Sequence, residues 1–390
     1  MKILFDGRVF TKGEISGIPE YARLLFTHLL KIDLMNEYIL FLNSFHKAIP
    51  PVDIRHYANV SLSNFHIPNR VLDFSFRFFH QPKIDFFSNT DIIFSPHFNI
   101  LAKNKKVPRV ITFHDLSFER FPDFYSSHEK LWHWRQNPKK QAEDAEEIIA
   151  ISNSTKVDLV ELYKIPPQKI SVIYSGINPY YLIPVLPSQL YAFREERKLP
   201  KYFILSLSTL EPRKNIPGLI RAFHIIKEKR ECKDFSLVIA GKEGWLCDEI
   251  YKEIKNSQWR DDIILWGPAS YEEAKNLYHL ASVFVCTSFF EGFGFPPLEA
   301  QACGTPVVSS NRGSLPEVLG QSALLYEPNN EEGIAFGIYS LLTNKELREN
   351  IVARGFENIS RFEWEKTANE TLKIFEKYKK KTSKVDAIEM

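Results

Sequence analysis

The segment EGFGFPPLEAQACGTP, residues 291–306, carries two glutamates separated by seven residues of glycine, phenylalanine, proline and leucine. The glycines and prolines prevent one continuous helix, so Glu291 is predicted to lie on a loop. Glu299 is then predicted on the first turn of a helix that Gly304 ends. Since no Ser, Thr, Asp or Asn directly caps this helix, its first N–H groups are free for an anion. The segment therefore predicts an anion site between two carboxylates.

The whole chain has the composition of an ordinary globular protein. Its 390 residues are too many for one hydrophobic core and favour two domains. A net charge of +2 gives no reason to expect nucleic-acid binding. The four cysteines form no CxxC pair, which is typical of free thiols in a reducing cytoplasm. MKILFDGRVF lacks the apolar core of a signal peptide, and no run approaches the roughly 18–20 apolar residues of a spanning helix.

Short apolar runs alternate with helical stretches along both halves of the chain. The runs of the first half are KILFDGRVF, EYILFLN, DIIFSP, RVITFHD and EIIAIS. Those of the second half are YFILSLSTL, FSLVIAG, DIILWG, SVFVCTS and TPVVSS. A proline-rich stretch, 172–190, separates the halves and is predicted to be a linker. The pattern predicts an α/β protein with two doubly wound, Rossmann-like parallel sheets.

Ligands of such sheets bind at the carboxyl ends of the strands, and three features lie there. Gly17 precedes a helix N-terminus that suits an anion, although a plain strand-to-helix turn would have the same residues. Arg213 and Lys214 follow the first strand of the second half and suit a diphosphate, unless they are a solvated surface pair. His114 ends another strand and could equally be structural. The spacing GxGxxG is absent from both glycine-containing loops, so a dinucleotide fingerprint is unsupported.

The ligand that fits these features carries phosphate in its middle and hydroxyl groups at both ends. Cations and free N–H groups would bind the phosphate, and the two carboxylates of 291–299 would accept hydrogen bonds from neutral hydroxyls. A nucleotide sugar is such a ligand.

Six motifs in register resemble the family 4 retaining glycosyltransferases, which have the GT-B fold. They are SGIPEYARLL, FHDL, ISNST, EPRKN, EGFGFPPLE and ACGTPVVSSNRGSLPEV, and they span about residues 1–375. LSTLEPRKN and HDLSFERFP look most like the branch that contains bacterial O-antigen and polysaccharide mannosyltransferases. The resemblance implies two domains facing each other across a cleft.

The resemblance also implies roles for individual residues. Glu291 would contact hydroxyls of the donor sugar, and Glu299 would bind the ribose. Lys214, with Arg213, would hold the diphosphate. Gly17 would lie against the diphosphate, and His114 would lie beside the donor sugar. The backbone of Phe293, Gly294 and Phe295 would contact the phosphate and the sugar. Trp266 and Gly267 would lie near the base.

One departure from the family pattern concerns the diphosphate. Many relatives carry a Gly-Arg pair where this chain has Ser208 and Thr209. The phosphate contact of that arginine is therefore absent or moved to Arg213.

The resemblance implies residues 1–180 as the acceptor-binding domain and residues 190–362 as the nucleotide-sugar-binding domain. Residues 363–390 would form a helix that crosses back to the first domain, followed by a tail.

Cations and aromatics combine in 74–87, 103–106 and 130–140. They suit a lipid-diphosphate acceptor or an anionic membrane surface, unless the aromatics are core and the cations are solvated.

The expected function is retaining transfer of a hexose, best mannose from GDP-mannose, to a lipid-linked or polysaccharide acceptor in cell-surface glycan synthesis. No cofactor and no metal are expected, because no DxD-like acidic cluster lies in a fitting loop. UDP- and dTDP-sugars remain alternative donors. A sugar-nucleotide epimerase and a non-catalytic binding protein are the alternative classes. The expected location is the cytoplasm, free or peripheral at the inner face of the membrane.

Overall fold

The structure, a computed structural model, describes residues 1–12, 17–43, 52–86 and 89–379. Ser16 of the SGIP motif, Phe87 of the stretch 74–87 and residues 380–390 of the predicted tail lie outside them. Within the described residues, seven parallel strands form an N-terminal sheet in the order β3-β2-β1-β4-β5-β6-β7. Its strands are β1 Lys2–Asp6, β2 Glu37–Leu42, β3 Val60–Asn64, β4 Ile92–Ser95, β5 Arg109–Phe113, β6 Glu147–Ala150 and β7 Ile170–Val172.

A second parallel sheet of six described strands has the order β10-β9-β8-β11-β12-β13. Its strands are β8 Tyr202–Leu207, β9 Phe235–Ala240, β10 Ile263–Gly267, β11 Val283–Cys286, β12 Val307–Ser310 and β13 Leu324–Tyr326. The central strands are buried on both faces, which is why they appear in the sequence as continuous apolar runs. The predicted fold class, two Rossmann-like domains with parallel sheets, is confirmed.

Fifteen described α-helices connect or follow these strands. In the N-terminal half they are α1 Ile18–Ile32, α2 Asn69–Phe78, α3 Ser117–Arg120, α4 Ser127–Gln136, α5 Pro138–Asp144 and α6 Asn153–Tyr163. Then follow α7 Pro187–Arg197, α8 Ile216–Lys227, α9 Asp248–Asn256, α10 Tyr271–Leu280, α11 Phe295–Ala302, α12 Leu315–Leu319, α13 Glu331–Thr343, α14 Lys345–Ile359 and α15 Trp364–Glu376.

The sequence pattern missed three strands, β3, β7 and β13, and all three lie at sheet edges. β7 and β13 have only three residues each, and the side chains of β3 are all partly or fully exposed. An edge strand buries less apolar surface than a central one, so its sequence carries a weaker periodic signal.

The last described helix, α15, packs against α1 of the N-terminal domain. The Trp364 ring lies 5.7 Å from that of Tyr21, and the Phe375 ring lies 5.3 Å from that of Phe94. Lys377 ends the contact with an ion pair of 2.6 Å to Glu147. The end of the chain therefore joins its two halves through aromatic packing. Among the described helices, none has the length and apolarity needed to cross a membrane.

Candidate active site

Glu291 lies on the loop between β11 and α11, so the predicted strand–loop–helix arrangement of this segment is confirmed. Its Oε1 accepts hydrogen bonds of 2.6 Å from Lys214 Nζ and 2.6 Å from Ser288 Oγ. Its Oε2 accepts a 3.1 Å bond from Arg213 Nη1. Burial alone would raise the pKa of Glu291, but the charges of Lys214 and Arg213 lower this pKa to about 2. Glu291 is therefore a fully ionised, buried carboxylate.

Arg213 is held between two carboxylates. Its Nη2 donates to Glu211 Oε1 at 2.5 Å, and its Nη1 also donates to the Phe290 carbonyl at 2.8 Å. Burial would lower the pKa of Arg213, but Glu291 and Glu211 raise it well above its usual value. The guanidinium charge is thus balanced inside the protein. Arg213 and Lys214 were predicted as a pair of diphosphate cations, and in the structure both also bind the Glu291 carboxylate.

The turn after β12 forms hydrogen bonds to the backbone of the Glu291 loop. Ser314 donates two hydrogen bonds of 3.0 Å to the Glu291 carbonyl, one from its backbone N and one from its Oγ. A Cβ on Gly313 would lie 2.5 Å from the same carbonyl oxygen, and Gly313 has a φ of +61°. Only glycine fits both requirements at this position. The loop carbonyl and carboxylate are therefore fixed independently of each other.

Glu299 lies on α11 as its fifth residue, so the predicted position on the first turn is wrong, because the helix begins at Phe295, before the two prolines. Glu299 is buried and accepts a 2.8 Å hydrogen bond from the Tyr278 hydroxyl. Burial and the nearby carboxylate of Glu20 raise the pKa of Glu299 to about 8, although hydrogen bonds from Tyr278 and Tyr181 lower it. Glu20 belongs to the first turn of α1, in the other domain, where Asn178 Nδ2 donates to it at 2.5 Å. The two glutamates of the motif thus have opposite electrostatic environments.

His114 follows β5 and is buried. Its Nε2–H donates to the Pro96 carbonyl at 2.8 Å, because a carbonyl can only accept. Burial lowers the pKa of His114 to about 4, so the ring is neutral at physiological pH. The ring also packs edge-on against Tyr21, with centroids 4.7 Å apart. In this tautomer Nδ1 is an acceptor, and the neutral side chain is suited to accept a hydrogen bond from a hydroxyl group.

The two domains meet where Gly292 faces the end of β5. A Cβ on Gly292 would lie 2.2 Å from the His114 carbonyl oxygen and 2.8 Å from Asp115 Cβ. Trp245 Nε1 of the C-terminal domain donates at 2.6 Å to the Phe124 carbonyl of the N-terminal domain. The Glu291 loop therefore lies in direct backbone contact with the His114 turn.

Two family models match consecutive parts of the chain. Residues 36–180 match the model described as Glycosyltransferase Family 4, and residues 189–358 match Glycosyl transferases group 1. An uncharacterized glycosyltransferase of Methanocaldococcus jannaschii is 30% identical over 276 residues, which cover 69% of each chain. This chain belongs to the family 4 glycosyltransferases. The O-antigen chain mannosyltransferase B of Escherichia coli is 28% identical over 385 residues, 96% of this chain and 99% of that protein.

Solved structures agree on the fold of this glycosyltransferase. The Anabaena protein HepE, crystallised with UDP and glucose, superimposes with a TM-score of 0.72. The alignment covers 96% of this chain and 99% of that one at 18% identity. Such a likeness concerns the arrangement of the two domains, which is the GT-B fold expected from the sequence.

Two of the helix N-termini that lack a side-chain cap begin with a glycine in the left-handed region. Gly17 is the N-cap of α1 with a φ of +66°, and Gly294 is the N-cap of α11 with a φ of +97°. In α11 the second and third residues are prolines, so the N–H groups of Gly294 and Phe295 are the donors left at its start. The Phe293 ring packs 5.0 Å from that of Phe295, and Phe293 is buried as a whole residue. The predicted ligand contacts of the Phe293, Gly294 and Phe295 backbone stay a prediction.

Trp266 and Gly267 end β10. The Trp266 ring packs on Phe193 of α7, with centroids 6.0 Å apart, and so faces that helix. The Gly267 carbonyl accepts a 2.8 Å bond from Gly241 N. A Cβ on Gly241 would lie 1.8 Å from the Ser208 carbonyl oxygen, so the ends of β8, β9 and β10 are tightly joined. The role of Trp266 and Gly267 at the base stays a prediction.

Sequence reasoning missed the residues that hold the predicted ones in place. These are Glu211, Ser288, Tyr278, Glu20, Gly292, Gly313 and Ser314. Five of them, Glu20, Glu211, Gly292, Gly313 and Ser314, lie inside quoted motifs, which was a usable signal, whereas Ser288 and Tyr278 lie outside these motifs. In the described part of the chain, no cluster of three or more His, Cys, Asp or Glu side chains could hold a metal ion. Metal independence stays a prediction.

Replacing Glu299 with glutamine is expected to stabilise the nucleotide-free enzyme in a pH-dependent way. The folded-state pKa of Glu299 lies above its ordinary value of 4.5, so wild-type stability falls as pH rises from about 4.5 to about 8. The glutamine side chain of the variant does not titrate, so it does not lose stability over this pH range. The variant should melt about 5 °C higher than wild type at pH 8, with little difference near pH 4.5. Thermal unfolding at both pH values checks this, and an equal difference at both would contradict it.

Replacing Gly292 with alanine is expected to hold the domains apart. The new methyl group would overlap the His114 carbonyl, so we expect transferase activity to fall about 100-fold while the fold remains intact. Small-angle scattering should show a larger radius of gyration. Gly355→Ala is the matched control, because its methyl group would lie 3.2 Å from Gln301 Cγ, a milder overlap inside the C-terminal domain and away from the contact between the domains. Unchanged dimensions and activity in Gly292→Ala would contradict the prediction.

Proposed function

We propose that the enzyme transfers mannose from GDP-mannose to a hydroxyl group of a lipid-linked or polysaccharide acceptor in cell-surface glycan synthesis. The observation that carries this proposal is the Lys214–Glu291–Arg213 cluster, which lies beside the uncapped N-terminus of α11. Membership of family 4 supports glycosyl transfer. Similarity to an O-antigen mannosyltransferase along nearly the whole chain supports mannose.

The proposed role of each side chain follows from the charges that develop on the sugar and on the diphosphate during transfer. As the bond from the anomeric carbon to the diphosphate breaks, positive charge builds on the sugar and negative charge on the leaving group. Lys214 is the cation placed to stabilise that leaving group, assisted by the N–H groups at the start of α11. Glu291, ionised and fixed, accepts hydrogen bonds from sugar hydroxyls, and neutral His114 offers Nδ1 to another hydroxyl.

The donor and acceptor sites are proposed to lie in different domains. Residues 190–362 would bind the nucleotide sugar, residues 1–180 would bind the acceptor, and the helix after residue 363 would couple them. The N-terminal Gly17 would approach the diphosphate across the cleft. A lipid-linked acceptor would bring the enzyme to the inner face of the cytoplasmic membrane.

Thermal shift with GDP, UDP, dTDP and ADP, and with their common sugars, tests the donor. Specific binding raises the melting temperature by mass action. A GDP-specific shift that Lys214→Ala abolishes is the expected result. A UDP-specific shift would replace mannose with the second candidate, a UDP-sugar, because HepE was solved with UDP and glucose. Binding without consumption of donor by any acceptor would favour a non-catalytic binding protein.

Retention and metal independence need separate measurements. We propose that the product keeps the anomeric configuration of the donor, which proton NMR of the product's anomeric signal checks. We also propose full activity in excess EDTA, since the diphosphate would be neutralised by Lys214 and helix N-termini. An inverted product or an EDTA-sensitive rate would overturn the corresponding part of the proposal.

A further inference from the structure

Helix α2 exposes an apolar stripe on the face opposite the core. Leu72 and Phe76 are buried against the N-terminal sheet. On the other face Val71, Phe74 and Phe78 are 56%, 55% and 59% exposed, at a spacing that aligns them along the helix. Large aromatic side chains exposed as a contiguous group mark an interaction surface, whereas single ones do not.

Helix α4 extends this surface. Leu131 and Trp134 are 44% and 63% exposed. Arg77 of α2 lies with its guanidinium carbon 4.8 Å above the Trp134 ring, and its Nη1 donates at 2.9 Å to the Arg135 carbonyl. The two helices therefore present one continuous surface, which we call the α2–α4 face. It consists of Val71, Phe74, Phe78, Phe79, Leu131 and Trp134.

The charges around the α2–α4 face are mostly positive. Its helices carry Arg70, Arg77, Lys130 and Arg135 against the carboxylates Asp73 and Glu129. Asp73 Oδ1 lies 3.8 Å from Nη1 of the buried Arg8, and this positive charge offsets the negative charge of Asp73 at the surface. Lys103 belongs to the basic stretch 103–106 that the sequence indicated. Its Nζ lies 3.6 Å from Glu146 Oε1, so its charge is paired there and does not add to this face.

We propose that the α2–α4 face binds an anionic phospholipid surface, with its phenylalanines and Trp134 inserted among the acyl chains. Aromatic side chains beside Arg and Lys match the boundary between lipid headgroups and hydrocarbon. Acidic headgroups attract the four cations. A second copy of the chain is a poorer occupant, because a two-fold interface would bring the same cations against each other.

The α2–α4 face lies close to the cleft. The Trp132 ring, on the inner side of α4, stacks on His97 with centroids 5.9 Å apart. His97 in turn lies 5.9 Å from His114. A bilayer on this face would therefore be one helix away from the predicted donor sugar. That a lipid-linked acceptor enters here rests on the proposed function, whereas lipid binding by itself does not.

Co-sedimentation with vesicles tests the proposal. We expect the wild-type enzyme to bind phosphatidylcholine vesicles that contain about 30% phosphatidylglycerol, and to bind pure phosphatidylcholine at least tenfold more weakly. The double variant Phe74→Ser, Phe78→Ser should lose at least tenfold in partitioning onto the anionic vesicles. Phe336→Ser is the matched control, because Phe336 is 65% exposed on α13 of the other domain, and it should change partitioning less than twofold.

A second measurement locates the contact. Brominated lipids should quench wild-type tryptophan fluorescence, and Trp134→Phe should remove most of that quenching. Circular dichroism establishes that each variant is folded. Absence of wild-type binding to anionic vesicles, or equal binding by the double variant, would overturn the proposal. So would a dimer that the double variant dissociates in the absence of lipid. Vesicle binding without mannosyl transfer would overturn the proposed function and leave this inference standing.

Discussion

Replacing Glu291 with glutamine is expected to reduce the transfer rate by about a thousandfold, which corresponds to about 4 kcal/mol in the barrier. The amide keeps the size of the side chain but removes the charge that balances Lys214 and Arg213. The site is then left with an uncompensated buried positive charge, and a sugar hydroxyl loses a strong acceptor. Steady-state kinetics with saturating donor measures the effect.

The same substitution should reduce stability, and the loss should depend on pH. The pKa of Glu291 is lowered to about 2, so the stability that its charge contributes is present above about pH 4.5 and is lost as pH falls towards 2. At pH 7 we expect Glu291→Gln to cost on the order of 3 kcal/mol in the free energy of unfolding. Denaturant titrations at pH 7 and pH 3 check this. An exposed glutamate, Glu228, provides the control substitution. Normal turnover in Glu291→Gln would refute the assigned role.

Replacing Lys214 with alanine is expected to lower kcat by about 100- to 1,000-fold, or about 3 kcal/mol, by analogy with removal of one donor from an oxyanion hole. The loss should appear in kcat because negative charge on the leaving diphosphate grows in the transition state. The fold should survive, since Arg213 and Ser288 still hold the Glu291 carboxylate. Stopped assays of sugar transfer, with the exposed Lys229→Ala as control, measure it.

A purely structural role for Lys214 predicts a different result. Loss of stability with little change in kcat of the folded fraction would contradict the leaving-group role. The double variant Lys214→Ala, Glu291→Gln sharpens the distinction. Because Nζ and Oε1 lie 2.6 Å apart, the two single effects should not add, and the double variant should be less impaired than their product. Additive effects would mean that the pair does not act as a unit.

The repeated strand–helix pattern was predictable because it depends on neighbouring residues. Buried central strands such as β5 and β11 appear as short apolar runs, and the helix α11 begins after Gly294 and ends before Gly304 as turn chemistry predicts. The edge strand β3 escaped prediction because its side chains are only half covered. The same local rules placed Arg213 and Lys214 directly after β8.

The candidate site was predictable as a set of residues but not as an arrangement. The motifs and their order determined the family, the fold and which side chains to examine. The tertiary structure decided that Glu211 and Glu291 share Arg213, that Glu299 faces Glu20 from the other domain, and that Gly292 touches the turn of His114. Burial and charge at a site depend on residues far apart in the chain, which meet only when both domains have folded. Local sequence patterns do not show which distant residues will meet. The protonation states of Glu291 and Glu299 depend on those meetings, so only the tertiary structure decides them.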